Sequence, residues 1–148
     1  MSPLSVLVVE DSPTIRRNLV ATLEELAPVR VAACVDGAAD ALRLLQAPSP
    51  PFDLVIVDLF LAQGSGLELL QALQRQHSRV QRVVLSNYAT PAMRAHCLAA
   101  GAGQVFDKSG EIEALVAWCE ALAAARCGAV LHDAAKPADT AVPPPAPQ

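Results

Sequence analysis

Short apolar runs alternate with longer stretches of helical period along this chain. The runs are Leu4–Val9, Val29–Val35, Leu54–Val57, Val80–Leu85 and Gln104–Phe106. They are dominated by Val, Leu and Ile with few polar interruptions, as strands covered on both faces of a parallel sheet require. Strands that alternate with helices imply crossover units, and therefore an α/β layered fold.

The helical stretches carry their own boundaries. Ser12-Pro13 offers an N-cap and a first-turn proline, and Ile15, Leu19, Leu23 and Leu26 then fall on one face. Pro28 closes that helix. Asp36 is placed to cap the second, in which Leu42 and Leu45 point inward. The third starts near Gly66 and buries Leu69, Leu70 and Leu73. Thr90-Pro91 opens the fourth, which stops at Gly101. The fifth follows Ser109-Gly110, with a stripe of Ile112, Leu115, Val116, Cys119 and Leu122 and with Trp118 at its edge. Residues 1–127 are thus expected to form one domain. Residues 128–148, rich in Ala and Pro, lack a stripe and hold several helix breakers, so they read as a disordered tail.

Composition narrows the functional classes. The 148 residues are 53% apolar and 18% charged, with a net charge of −4, which argues against a broad nucleic-acid grip. No uncharged apolar run approaches the ~18 residues of a membrane span. Cys34, Cys97, Cys119 and Cys127 form no CxxC pair and have no His at ligand spacing. They read as reduced core or helix-face thiols of a cytoplasmic protein. His77, His96 and the Arg16-Arg17 pair read as solvated helix surface.

The candidate chemistry lies at the ends of the strands. In an open parallel sheet, ligands bind beyond the carboxyl ends, where strand order reverses. The first strand ends in Glu10-Asp11, the third in Asp58, the fourth in Ser86-Asn87 and the fifth in Asp107-Lys108. If the first and third strands are neighbours, three carboxylates, a hydroxyl and an ammonium converge. Clustered carboxylates repel, and an oxygen-only set without His or Cys suits Mg²⁺. An aspartate in such a set can act as a nucleophile toward phosphorus, with Lys108 and the Ser86 hydroxyl on the phosphoryl oxygens. Asp53 opens the third strand, roughly 17 Å from its carboxyl end, and cannot share a cation with Asp11.

Four signatures in order carry a resemblance: Val8-Val9-Glu10-Asp11-Ser12, Val55-Ile56-Val57-Asp58, Val84-Leu85-Ser86 and Phe106-Asp107-Lys108. Over about residues 4–126 the chain resembles the receiver domain of bacterial two-component response regulators. The resemblance implies a doubly wound, flavodoxin-like five-stranded parallel sheet of order 2-1-3-4-5 with helices on both faces. It implies Asp58 as phosphoacceptor and Glu10, Asp11, Asp58 and the Phe60 backbone carbonyl as Mg²⁺ ligands. Ser86 then matches the switch hydroxyl and Lys108 the family's lysine. A histidine kinase or phosphotransfer protein would be the donor. Output would be protein–protein contact through helix 4, strand 5 and helix 5, with no direct nucleic acid and no enzymatic turnover. The expected whole is a stand-alone cytoplasmic response regulator.

The chain also departs from that family. Ser109 follows Lys108 where proline often stands, so a trans bond is expected. Val105 occupies the place of the usual aromatic switch, and it is too small and stiff to swing as one. Asn87, Tyr88 and Phe60 flank the site and are expected to slow attack by water on a phosphorylated Asp58. Three rival readings are weighed. A phosphohydrolase with an aspartate nucleophile usually has a second Asp where Phe60 stands. A flavin-binding module would have its phosphate repelled by Glu10 and Asp11. A pseudo-receiver that docks partners without phosphorylation would not need the complete acid–Ser–Lys set.

Overall fold

The computed structural model describes residues 3–47, 51–59, 61, 65–76, 78–87 and 89–135, with side chains described as far as Arg126. Ten elements alternate: β1 (Leu4–Val9), α1 (Pro13–Leu26), β2 (Val29–Val35), α2 (Ala38–Leu45), β3 (Leu54–Asp58), α3 (Gly66–Arg75), β4 (Gln81–Ser86), α4 (Pro91–Ala99), β5 (Gln104–Asp107) and α5 (Ile112–Ala135). All strand pairs are parallel, in the order β2-β1-β3-β4-β5. The chain steps from β1 outward to β2 and then back across to β3. The reversal point therefore lies between β1 and β3, where the α/β rule places a ligand.

Each face of the sheet is covered by helices. Leu19 and Leu23 of α1 join Leu115, Cys119 and Ala123 of α5 over Val6, Val8, Ile56, Val83 and Leu85. On the opposite face Ala41, Leu45, Leu69 and Leu73 of α2 and α3 pack on Leu7, Val9, Val55 and Val57. Leu70 and Cys97 extend that layer over Val84 and Val105. Continuous apolar runs are what two covered faces demand, and every residue of β3 is buried. Among the described residues no helix is long and apolar enough to cross a membrane.

Two glycines are required by geometry. Gly101 ends α4 at φ +112°, a left-handed conformation that side-chain-bearing residues rarely adopt. Gly66, at the start of α3, lies so close to β3 that a Cβ there would meet the Asp58 carbonyl oxygen at 2.5 Å and a Val57 methyl at 2.8 Å. The start of α3 is therefore pressed against the end of β3.

Several expectations need correction. β2 is an edge strand with alternating burial, not a strand covered on both faces, and Cys34 on it is exposed. Its outward Val31 N–H donates to the Glu24 carboxylate at 2.9 Å, which blocks that edge position against strand addition. Ile15 and Leu26 are exposed at 37% and 53%, so only the middle of the α1 stripe reaches the core. The N-cap of α2 is Gly37 with no side-chain bond, and Asp36 does not serve there. By contrast Ser12 accepts from Ile15 N and Thr90 from Met93 N, as their sequence contexts predict. α5 runs to Ala135, beyond the expected boundary at residue 127. Its Ala-rich sequence has high helix propensity, and the first proline after Gly128 is Pro137. The expected tail from residue 136 onward lies outside the described residues.

Candidate functional site

Strand register assembles the site. Val9 pairs with Val57, which sets Glu10 beside Asp58. Asp58 pairs with Leu85 and Ser86 with Asp107, which brings the ends of β4 and β5 to the same edge. Two backbone bonds fix the loops: Glu10 N–H donates to Val35 O at 3.0 Å, and Lys108 N–H to Ser86 O at 3.0 Å. The sheet therefore places the candidate residues through its main chain before any side chain acts.

Glu10, Asp58 and Ser86 are buried, at 2%, 9% and 0% exposure, and no other polar or charged described residues are. Burial of such groups is costly without partners. One carboxylate oxygen from each of Glu10, Asp11 and Asp58 lies within 4.8 Å of the other two. The Lys108 ammonium approaches Glu10 Oε1 at 2.7 Å and Asp58 Oδ2 at 3.3 Å. Glu10 Oε2 accepts the Ser12 N–H at 3.2 Å, so its carboxylate is held from both sides. The Lys108 ammonium thus bridges two members of a cluster of three carboxylates. An all-oxygen set of clustered carboxylates has the chemistry of a Mg²⁺ site, since that cation takes one or two carboxylates and keeps positions for phosphoryl oxygens.

The residues picked out from the sequence divide as follows. Glu10, Asp11, Asp58 and Lys108 come together, and Ser86 ends the neighbouring strand. Phe60 and Tyr88 lie outside the described residues, as does His77. Asn87 is exposed and lines, with Ile15, Leu19, Leu85 and Ile112, a cavity of about 290 Å³ that reaches Lys108. Val105 is buried, with Phe106 buried beside it. No cis peptide bond occurs among the described residues, as expected at Lys108-Ser109. Asp53 sits at the other end of β3, where its carboxylate accepts Ser5 N–H at 2.8 Å and pairs with Arg126 at 3.4 Å.

Three groups escaped the sequence reading. Arg16, expected to be solvated, donates from Nη1 to the Glu10 carbonyl at 3.0 Å and steadies the loop that carries the acid pair. Arg94 and Glu111 form an ion pair at 2.7 Å beside β5. That pairing, together with the Asp107 N–H, holds the Glu111 carboxyl below the usual carboxylate range. The Ser109 hydroxyl and N–H do the same for Asp107. Bonds to backbone carbonyls leave no mark in a sequence. A helical arginine four residues after an N-cap, as Arg16 and Arg94 are, resembles any solvated arginine.

Comparison with known proteins identifies the family. Residues 6–120 match the profile of the response regulator receiver domain. A probable transcriptional regulatory protein of Picosynechococcus sp. is 37% identical over 122 residues, covering 79% of this chain and 48% of that protein. The KDP operon transcriptional regulatory protein KdpE of Escherichia coli is 37% identical over 119 residues, covering 74% of this chain and 48% of its own length. The chain spans about half the length of these two relatives. Among solved structures, a two-component response regulator of the LuxR family from Aurantimonas sp. superposes with a TM-score of 0.74 at 25% identity. That match covers 84% of this chain and 87% of the other.

Proposed function

The chain belongs to the response regulator receiver domain family, and on that premise we propose that the Asp58 carboxylate is its phosphoacceptor. The observation that carries the reading is the acid trio Glu10, Asp11 and Asp58, with ligand oxygens within 4.8 Å and one buried ammonium among them. Clustered carboxylates favour a divalent cation, and that cation would in turn draw a phosphoryl group to Asp58. Glu10, Asp11 and Asp58 would hold Mg²⁺, with the Phe60 carbonyl as the further ligand that the family suggests. Bound there, the ion would neutralise and orient the phosphoryl oxygens.

The protein groups supply the rest. An Asp58 oxygen attacks phosphorus and forms the acyl phosphate, while the P–N or P–O bond to the donor breaks and the donor leaves with that electron pair. Lys108 turns from the carboxylates to a phosphoryl oxygen, a short movement for an ammonium already 3.3 Å from Asp58. Ser86 donates its hydroxyl to another oxygen from the end of β4. We assign the donor as a histidine kinase or phosphotransfer protein and the output as protein contact through α4, β5 and α5. Receiver domains work as phosphate-regulated modules, and this chain needs no turnover of its own substrate. The two relatives described above are named as transcriptional regulators. We nonetheless read no direct nucleic-acid contact for this chain, a reading that its net charge of −4 supports.

Incubation with Mg²⁺ and acetyl phosphate, followed by intact mass measurement, tests the reading. One added phosphate is expected, lost in Asp58→Ala and suppressed by EDTA. An adduct that survives Asp58→Ala would place the acceptor elsewhere.

A further inference from the structure

Arg94 makes three contacts that no other described arginine matches. From α4 its Nε donates to Ala89 O at 3.0 Å, its Nη1 to Val105 O at 2.8 Å and its Nη2 to Glu111 Oε1 at 2.7 Å. The same Glu111 oxygen accepts the Asp107 N–H at 2.8 Å, and the Asp107 carboxylate in turn accepts Ser109 N–H at 2.8 Å. Ala89 stands three residues after Ser86, Val105 three before Lys108 and Glu111 three after it. One planar guanidinium therefore joins the loop leaving β4 to the Val105 carbonyl before Lys108 and to the Glu111 side chain after it.

Charge alone does not account for this arrangement. The Arg94 and Glu111 side chains are 34% and 37% exposed, and an ion pair so placed contributes little. Directionality does account for it, because a guanidinium presents five N–H donors in a fixed plane and three acceptors are met at once. Val105 has no side-chain donor or acceptor, so the connection at that position runs through its carbonyl. Neither Arg94 nor Glu111 belongs to the acid trio.

We propose that Arg94 is a positioning residue for phosphoryl transfer, setting the spacing between the Ser86 loop and the Lys108 loop through Ala89, Val105 and Glu111. The inference rests on the assignment of Asp58 above. It separates two properties: cation binding depends on the acid trio, whereas the transfer rate depends on where Ser86 and Lys108 stand.

The test is phosphorylation by acetyl phosphate across a Mg²⁺ titration, followed by intact mass, with thermal unfolding to check each variant. Arg94→Ala should lower the rate at saturating donor by about tenfold, as small misplacements of reacting groups do, with the Mg²⁺ midpoint moved less than about twofold. Arg94→Lys keeps the charge but not the fork and should stay near Arg94→Ala; it also decides the matter if the alanine variant does not fold. Glu111→Gln retains an acceptor oxygen and should approach the wild type, whereas Glu111→Ala should not. An Arg94→Lys rate equal to wild type, or a Glu111→Gln rate as low as Glu111→Ala, overturns the inference. So does a Mg²⁺ midpoint that shifts in step with the rate. A wild-type chain that takes no phosphate overturns the Asp58 assignment and this inference together. A phosphorylated wild type matched by Arg94→Ala overturns this inference alone.

Discussion

Asp53 and Asp58 bracket the same strand, and their surroundings are opposite. At the amino end Asp53 has one carboxylate oxygen on the Ser5 N–H and the other paired with Arg126, with its side chain 36% exposed. At the carboxyl end Asp58 is nearly buried and shares the single Lys108 ammonium with Glu10, beside Asp11. One acid is matched by one cation and a backbone donor. The other belongs to a cluster of three carboxylates, two of which share Lys108. Residue type is the same at both places, so the company of other carboxylates distinguishes a structural tie from the proposed phosphoacceptor.

Removing the counter-charge should test that contrast most severely. Lys108→Met leaves three carboxylates together at neutral pH, and loss of one partner from a buried pair costs about 3 kcal/mol. Denaturant unfolding without divalent cation should show that loss, and added Mg²⁺ should recover much of it. A Lys108→Met chain indifferent to Mg²⁺ would mean that the trio does not hold the ion.

The two aspartates should then move stability in opposite directions. Asp53→Ala strips the Ser5 N–H of its acceptor and should destabilise by about 1–2 kcal/mol, with the phosphate adduct retained. Asp58→Asn relieves like-charge repulsion and should stabilise the cation-free protein by about 1 kcal/mol, with the Mg²⁺ response reduced. Equal signs in the two unfolding curves would erase the distinction between the strand ends.

The smallest effect concerns pH. Glu111 resembles Asp53 in being satisfied, and its carboxyl is held low chiefly by Arg94 and next by the Asp107 N–H. In the folded state it gives up its proton more readily than in the unfolded chain. The stability it contributes is therefore complete above the ordinary value near 4.5 and lost as pH falls through the lowered one. Glu111→Gln should flatten the acid side of the thermal midpoint against pH below about 4.5. An unchanged slope would show that Arg94 does not hold that carboxylate.

The sequence revealed the elements through periodicity and the site through strand ends. Val8-Val9-Glu10-Asp11 and Val55-Ile56-Val57-Asp58 each announce a buried strand followed at once by acids, a pattern that the parallel register then brings together. What stayed hidden depends on contacts between distant main-chain atoms. Arg16 reaches the Glu10 carbonyl and Arg94 the carbonyls of Ala89 and Val105, and any residue type supplies a carbonyl. The exposure of Ile15 and Leu26 was hidden for a related reason. An apolar stripe records which face turns inward, but the reach of the opposing helix decides how far along α1 the covering extends. Asp36 looked like a cap because aspartate often is one, yet the backbone enters α2 one residue later, at Gly37.

The closeness of Gly66 to β3 has a consequence for the chemistry. The first atom that a methyl group at position 66 would strike is the carbonyl oxygen of Asp58 itself. Alanine there would act as a wedge behind the proposed acceptor, pushing its main chain out of alignment with Glu10 and Asp11 while leaving every charged group in place. A residue without a side chain thus sets the tolerance for the proposed acceptor's main chain.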